Sequence, residues 1–199
     1  MVLRLLPVNA SRRKVVRQYH VATNVTDYVP SDVRFDLFDY AKTDSTGTAV
    51  TWNVSLYDMP VLVCGGSVLP MHQAALTSTA ARKAPYDLLV ALSANRTASG
   101  ELYQDDIEAV NGDEQSTIVQ FSVTSGVFSS KVTWSNYSGQ DFTDAIESVV
   151  VLGVSSSPSR VTLSPSGGEL EFTYNATSEA LVIDASSANL SVVQEFTVL

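Results

Sequence analysis

Cysteine and histidine are scarce in this sequence, which has one cysteine and two histidines in 199 residues. A single cysteine, Cys64, cannot form a disulfide within the chain, and it excludes a CxxC redox or metal motif. Because it lies in the apolar run 60–64, we expect a buried thiol that packs like a small hydrophobic residue. His20 and His72 are far apart in the sequence, so no zinc site is expected, and we predict no bound metal ion.

Positive charge is scarce too: 12 Lys and Arg residues against 21 Asp and Glu residues give a formal net charge of -9. Nucleic-acid binding needs a basic surface, so no nucleic-acid partner is expected. No apolar run approaches the roughly 18–20 residues of a membrane-spanning helix, so no membrane partner is expected either. Glycine-rich phosphate motifs are missing, and the sequence predicts no cofactor.

The segment 1–21 lacks the order of a secretory signal peptide. Its apolar part, 2–8, contains Arg4 and precedes the basic cluster at 12–17 instead of following it. One interpretation is a mitochondrial-type presequence, since transit peptides are rich in arginine and poor in acids. The interpretation that we prefer is a buried strand fragment followed by a solvated basic loop, and a partner-binding basic patch is a third.

Helical periodicity is missing over any useful length, whereas alternation of apolar and polar residues is frequent. Val33, Phe35 and Leu37 alternate with polar residues, as do the odd positions of 117–123. This period of two is typical of half-buried strands. The run 61–64 is apolar throughout and predicts a strand buried on both faces. With Gly, Pro and Ser between the strands, the pattern predicts an all-β fold of the sandwich type.

Several turns can be predicted from glycine and proline. We expect a hairpin turn at 44–47 (Asp-Ser-Thr-Gly). Gly65-Gly66 permits a positive φ and predicts a sharp turn. Residues 74–84 show no clear periodicity and are expected to be irregular, and Pro85 bars a helical conformation at Ala84.

Acceptor sites for N-linked glycans are abundant. Seven of the eight asparagines fall in the Asn-x-Ser/Thr pattern: Asn9, Asn24, Asn53, Asn95, Asn136, Asn175 and Asn189. Such an excess indicates a protein of the secretory pathway with glycans on its loops. The alternative is that richness in Ser and Thr alone raises the count.

The acidic pair Asp105-Asp106, followed by Glu108, Asp113 and Glu114, is the strongest catalytic candidate. A glycosidase needs two carboxyl groups that face each other across the scissile bond. Adjacent residues of a strand point to opposite faces, so this pair is not expected to act that way. Turn and hydrogen-bonding roles are expected instead, with a Ca²⁺ site as an alternative.

A nucleophilic scheme through Cys64 and His72 can also be drawn, but no local motif supports it. We therefore assign no catalytic residue.

Four motifs in the stretch 65–106 carry a family resemblance. They are Gly-Gly-Ser-Val-Leu-Pro at 65–70, Ala-Leu-Thr-x-Thr-x-x-Arg-x-x-Pro at 75–85, Leu-Leu-Val-Ala-Leu at 88–92 and Gly-Glu-Leu-Tyr-x-Asp-Asp at 100–106. Their order and spacing resemble the C-terminal region of glycoside hydrolase family 31, which includes lysosomal, intestinal and plant α-glucosidases. The resemblance covers about residues 22–199. It implies structural roles for Gly65, Gly66, Pro70, Pro85, Gly100, Tyr103, Asp105 and Asp106. Ile107 departs from the family, which has glycine there.

The resemblance implies two consecutive antiparallel β-sandwich units, the first incomplete. Residues 22–84 would form the proximal unit and 85–199 the distal one, after the uncertain segment 1–21. In the family these units pack on a catalytic (β/α)8 barrel, which would be the partner of this chain. The barrel's catalytic aspartate motifs do not occur in these 199 residues. Hydrolysis of O-glycosyl bonds would then belong to a parent protein of the extracellular space, lysosome or vacuole, and the chain would be a fragment of it.

Two other functions are compatible with the sequence. A free-standing carbohydrate-binding sandwich could stack sugars on Trp52, Trp134 or Tyr137. Trp52 is expected to anchor a sheet face more readily than to form a sugar platform. An active hydrolase in its own right is the third hypothesis.

Overall fold

The computed structural model describes residues 13–15, 23–55, 57, 59–105, 115–137, 144–192 and 196–198. The predictions for Asn9, His20, Asp106, Ile107, Glu108, Asp113 and Glu114, and for most of segment 1–21, lie outside these residues. The predicted loop at 12–17 is wrong at Arg13–Val15, which form a strand paired with 61–63.

Strands dominate the described part of the chain, which confirms the prediction of an all-β fold. One short helix, α1, spans Ser78–Arg82, and a 3-10 turn spans Ser186–Ala188. The strands are β1 (Arg13–Val15), β2 (Asn24–Val29), β3 (Asp32–Asp36), β4 (Lys42–Ser45), β5 (Thr48–Asn53), β6 (Val61–Cys64), β7 (Ser67–His72), β8 (Tyr86–Ala91), β9 (Ala98–Asp105), β10 (Ser116–Thr124), β11 (Val127–Ser135), β12 (Ile146–Leu152), β13 (Leu163–Ser164), β14 (Phe172–Asn175), β15 (Ala180–Asp184) and β16 (Phe196–Val198).

Strands β2 to β5 form one long, bent hairpin. β2 pairs with β5, and β3 pairs with β4. The same register runs through both pairs, since Val29 lies opposite Thr48 and Asp32 lies opposite Ser45. The bend falls at Pro30, which has no N–H to donate to the partner strand.

The predicted hairpin turn at 44–47 is wrong. The chain reverses at 37–41, where the Asp36 N–H donates to the Ala41 carbonyl at 2.9 Å. The Asp36 carboxylate accepts a hydrogen bond from the Phe38 N–H at 2.8 Å, the local arrangement that favours Asp at turns. Gly47, with φ +85°, instead lies at the bend opposite Pro30.

A ten-stranded sheet forms the larger part of the structure. Its strand order is β13-β16-β11-β10-β9-β7-β8-β12-β15-β14. One hydrophobic cluster, the distal core, contains residues of β8, β12 and β15 together with residues of β9, β10 and β11. Strands so far apart in the order can share a core only if the sheet folds over on itself, so this sheet forms a sandwich.

Strand β8 is buried on both faces. Leu88 and Val90 lie in the distal core, whereas Leu89 and Ala91 lie in a second cluster, the proximal core, which also contains Phe35 of β3. The proximal core joins the ten-stranded sheet to a four-stranded sheet of order β1-β6-β3-β4. β8 therefore belongs to the layer between the two cores.

Strand pairing is antiparallel in most places, as expected. An exception is β8 with β12, which run parallel with Leu88 opposite Val149. Parallel strands need a long connection, and here β9, β10 and β11 lie between them in the chain.

Hydrogen bonds cross the predicted domain boundary at 84/85. β7 belongs to the first predicted unit but pairs with β8 along its whole length. The Gly66 N–H also donates to the Ala91 carbonyl across this boundary, at 2.8 Å. The division into two units stays a prediction, and the described strands connect the two parts closely.

Gly100 lies where β9 passes closest to β7. A Cβ atom added at Gly100 would lie 2.2 Å from the Val68 main-chain oxygen. We expect Gly100→Ala to lower the free energy of unfolding by about 3 kcal/mol or more, because a buried backbone cannot move aside easily. Urea denaturation followed by circular dichroism measures the change.

The matched control for this prediction is Gly168→Ala. Its Cβ would meet no atom closer than the Ser166 Oγ at 3.7 Å, an ordinary contact. We expect a change of less than about 1 kcal/mol there. Equal effects of the two substitutions would contradict the steric interpretation of Gly100.

Candidate functional site

The connection between β7 and β8 begins irregularly and then forms a short helix. α1 begins after Thr77, whose hydroxyl accepts a hydrogen bond from the Ala80 N–H at 3.1 Å. It ends before Pro85, as the proline predicts. The prediction of an irregular segment at 74–84 is thus wrong for this one turn of helix. The signal that could have indicated it is Thr77, a favoured N-cap residue.

Arg82 connects α1 to the end of β9. Its guanidinium Nη2 donates to the main-chain oxygen of Asp105 at 3.0 Å. Two of the four sequence motifs therefore meet in space, through one side chain and one carbonyl group. Asp105 is half-buried at the last position of β9, opposite Ser116.

A buried tyrosine lies at the start of β8, beside this contact. Tyr86 is 2% exposed, and its hydroxyl oxygen accepts a hydrogen bond from the Gln104 amide at 3.0 Å. The same amide nitrogen lies 3.3 Å from the Asp144 carboxylate, to which it donates. The pKa of Tyr86 is raised to about 12, mainly by burial and also by the Asp144 charge, while the Gln104 hydrogen bond and the Arg82 charge oppose the shift.

His72 packs against the ring of Tyr86. The two ring centres are 4.0 Å apart, and His72 Nδ1 lies 2.9 Å from the Ala84 carbonyl oxygen, to which it donates. Burial lowers the pKa of His72, the bond to Ala84 opposes this, and the nearby Arg82 charge lowers it. We call His72, Arg82, Tyr86, Gln104 and Asp144 the joint cluster.

The structure does not bring the proposed nucleophilic pair together. Cys64 is buried, as predicted, and its sulfur accepts a hydrogen bond from the Arg34 guanidinium. His72 has different partners, in the joint cluster. In the described part of the chain, no group of three or more His, Cys, Asp and Glu residues could hold a metal ion.

The other motif residues occupy tight positions around β7 and β8. A Cβ at Gly65 would lie 2.8 Å from the Leu92 carbonyl oxygen, and Gly66 adopts φ +85°, as the predicted sharp turn requires. Pro70 is buried opposite Leu88. Tyr103 is half-buried on β9, and the Pro85 carbonyl accepts from the Gln73 N–H at 3.4 Å.

The three aromatic residues considered for sugar stacking lie in different surroundings. Trp52 is half-buried against Val25 and Val54 in a small cluster. Trp134 is 47% exposed on β11, and Tyr137 is half-buried shortly after that strand. Trp52 is thus a packing residue, and Trp134 is the most accessible of the three.

The glycan acceptors within the described residues are all accessible. Asn24, Asn53, Asn95, Asn136 and Asn175 are exposed. Asn189 is exposed as well and has a left-handed backbone conformation, with φ 49°. Within the described segments, no helix is long and apolar enough to cross a membrane.

The raised pKa of Tyr86 makes a prediction about stability at high pH. A raised folded-state pKa favours the protonated hydroxyl, so this stabilisation is complete below pH 10 and is lost between pH 10 and about 12. We expect the stability of the wild type, relative to Tyr86→Phe, to fall with a slope approaching about 1.4 kcal/mol per pH unit in this window. Urea denaturation of both proteins at several pH values measures it.

Taking the difference between the two proteins cancels the titration of the other tyrosines and of the lysines. A difference that is independent of pH from 9 to 11.5 would contradict the assignment of a buried, protonated Tyr86.

Sequence comparison finds similar proteins among α-glucosidases. The α-glucosidase of Aspergillus oryzae is 39% identical over 157 residues, covering 75% of this chain and 15% of that protein. Human intestinal sucrase-isomaltase is 29% identical over 175 residues, covering 85% of this chain and 10% of that protein. The chain thus spans only a small part of these relatives. No protein-family model matches it.

Solved structures with the same fold include larger glycosidases. The glucosidase II α subunit superimposes with a TM-score of 0.75 at 22% identity, over 91% of this chain and 22% of that one. The Flavobacterium johnsoniae GH31 dextranase superimposes with a TM-score of 0.71 at 13% identity, over 94% of this chain and 26% of that one. These likenesses show the fold. With the sequence similarity to α-glucosidases, they establish that the chain is a relative of the glycoside hydrolase family 31 enzymes.

Proposed function

We propose that the chain forms accessory C-terminal domains of an α-glucosidase-like protein and stabilises a catalytic barrel that lies outside these 199 residues. The extent of the similarity supports this: it covers most of the chain but only 10–15% of the relatives named above. Hydrolysis of O-glycosyl bonds, with α-glucosides as substrates, would be the activity of the whole protein.

The observation that carries the proposal is the use that the structure makes of the motif residues. Gly65 and Gly100 lie against main-chain atoms of neighbouring strands. Arg82 binds the main-chain oxygen of Asp105. Tyr86 and Gln104 satisfy each other inside the fold. Motifs with these contacts maintain a scaffold, and they leave few polar groups free for chemistry.

We do not propose Asp105 as one of the two carboxyl groups that glycoside hydrolysis requires. Two carboxyl groups must lie about 5–5.5 Å apart for retention or about 6.5–9.5 Å apart for inversion. Asp105 contributes its main-chain oxygen to the Arg82 contact, and adjacent strand residues point to opposite faces. We therefore place the catalytic carboxyl groups in another part of the parent protein.

Exposed apolar side chains give the accessory role a physical basis. Phe38, at the hairpin turn, is 69% exposed, and Tyr57, in the connection to β6, is 93% exposed. Leu76, just before α1, is fully exposed. Large apolar side chains at turns are candidates for contact with another domain. Covering them would contribute about 25 cal/mol per Å² of buried apolar surface.

A chimera tests this function. In the Aspergillus oryzae α-glucosidase, the segment that matches this chain is replaced by the chain itself. We expect the chimera to fold and to release p-nitrophenol from p-nitrophenyl α-glucoside. The reason is that this chain restores the packing contacts of the segment that it replaces. The isolated chain should release none. The chimera that carries Gly100→Ala has a damaged scaffold, and the chimera that carries Gly168→Ala is its matched control.

An inactive chimera, with the unmodified α-glucosidase active in the same preparation, would contradict the accessory role. Hydrolysis by the isolated chain would contradict the placement of catalysis elsewhere, and would support the hypothesis of an active hydrolase.

We also propose that the parent protein passes through the secretory pathway and carries glycans on this chain. In secreted material, glycopeptide mass spectrometry should find Asn95 and Asn175 occupied, because Asn95 is exposed in a turn and Asn175 is exposed at the end of β14, directly before a turn. Complete absence of glycans on secreted protein would contradict the proposal itself.

A further inference from the structure

A cavity of about 580 Å³ opens at the end of the sandwich opposite the joint cluster along β8. Its floor consists of distal-core side chains and one neighbour packed against them: Leu92, Val123, Phe128, Val151, Leu181 and Ile183. Three loops surround its mouth, namely those after β8, after β10 and after β12. This volume lies within the range of about 300–1,000 Å³ that is typical of small-molecule sites.

The mouth of the cavity is positively charged. Arg96 and Arg160 line it, and none of its described lining residues is acidic. The chain as a whole has a net charge of -9, so this local excess of positive charge is unusual for its surface. Ion pairs found within the described residues join Lys42 to acids elsewhere, and neither arginine takes part in them. Both guanidinium groups are therefore available to an anion.

The turn that carries Arg96 is held in a specific conformation. The Ser93 hydroxyl lies 2.9 Å from the Thr97 hydroxyl and accepts from the Thr97 N–H at 3.2 Å. Arg96 itself has φ 57°, a left-handed conformation that is uncommon for residues other than glycine. Its guanidinium donates to the Ser155 hydroxyl at 2.7 Å, across the mouth. The turn thus orients Arg96 over the opening.

We propose that this cavity binds a small amphipathic carboxylate. The apolar body of the ligand contacts the aliphatic floor, and its carboxylate binds Arg96 and Arg160. Burial of the body provides the driving force, and the charge-assisted hydrogen bonds select the anion. This inference does not depend on the proposed accessory function.

A carbohydrate fits this cavity less well. Phe128 is the sole aromatic residue in the part of the lining that the structure describes, and it belongs to the core. Sugar hydroxyl groups would face Leu and Val side chains, where they would lose hydrogen bonds to water without replacement. The aromatic residues considered for sugar stacking, Trp52, Trp134 and Tyr137, do not line the cavity.

Isothermal titration calorimetry of the full chain with octanoate tests the proposal. We expect a saturable isotherm with one site per chain. Octanamide, which has the same body without the charge, should bind about tenfold more weakly or worse, and maltose should not bind. Arg96→Gln and Arg160→Gln should each weaken octanoate binding by about tenfold, which corresponds to about 1.4 kcal/mol.

The matched control is Lys131→Gln, which removes the same charge from an exposed position of β11 outside the cavity. It should leave octanoate binding unchanged, and melting curves of all three variants show whether each is folded. Arg160 is exposed, so its variant tests the site even if Arg96→Gln does not fold. The proposal is overturned if octanoate does not bind, if octanamide or maltose binds equally well, or if Lys131→Gln weakens binding as much as Arg160→Gln.

Discussion

The structure depends on the burial of β8 on both of its faces. Its side chains alternate between the distal and proximal cores, and Leu88, Leu89, Val90 and Ala91 are completely inaccessible to solvent. Full burial of one such Leu or Val side chain contributes about 1.5–3 kcal/mol. Since one strand supplies both cores, neither core can form without it. The backbone around it is closely packed: Gly65 lies against the Leu92 carbonyl just after β8, and Gly100 of β9 lies against Val68 of β7, the strand that pairs with β8.

The same constraint places the polar features at the ends of β8. Its middle is apolar on both faces, so hydrogen-bonding groups can be accommodated only where the strand begins or ends. Tyr86, at its start, belongs to the joint cluster. Leu92, just after its end, forms part of the cavity floor. The joint cluster closes one end of the sandwich with internal hydrogen bonds. The other end is open and carries Arg96 and Arg160.

Local patterns in the sequence predict the strands well, because burial on one face or on both leaves a direct signature. The alternation at 117–123 and the apolar run 61–64 appear as buried strand residues. Pairing across the sheet is not local. The parallel contact of β8 with β12 and the meeting of Arg82 with Asp105 join residues far apart in the chain, and composition does not encode them. The turn at 44–47 misled for the same reason: its glycine serves a bend, while Asp36 makes the turn.

The arginine at position 96 helps to decide whether the open end of the sandwich has a function or results only from packing. Positive φ is adopted at this end by Gly153, which needs no side chain there. A turn with a purely architectural role could use glycine at 96 in the same way. Ser125, which also lines the cavity, has φ 54°, so a residue other than glycine is tolerated at this end. An arginine in that conformation costs on the order of 1 kcal/mol. Its one described side-chain contact, to the exposed Ser155, is too weak to offset that cost by much. A charge held over an apolar cavity has a clearer use in binding an anion than in maintaining the fold.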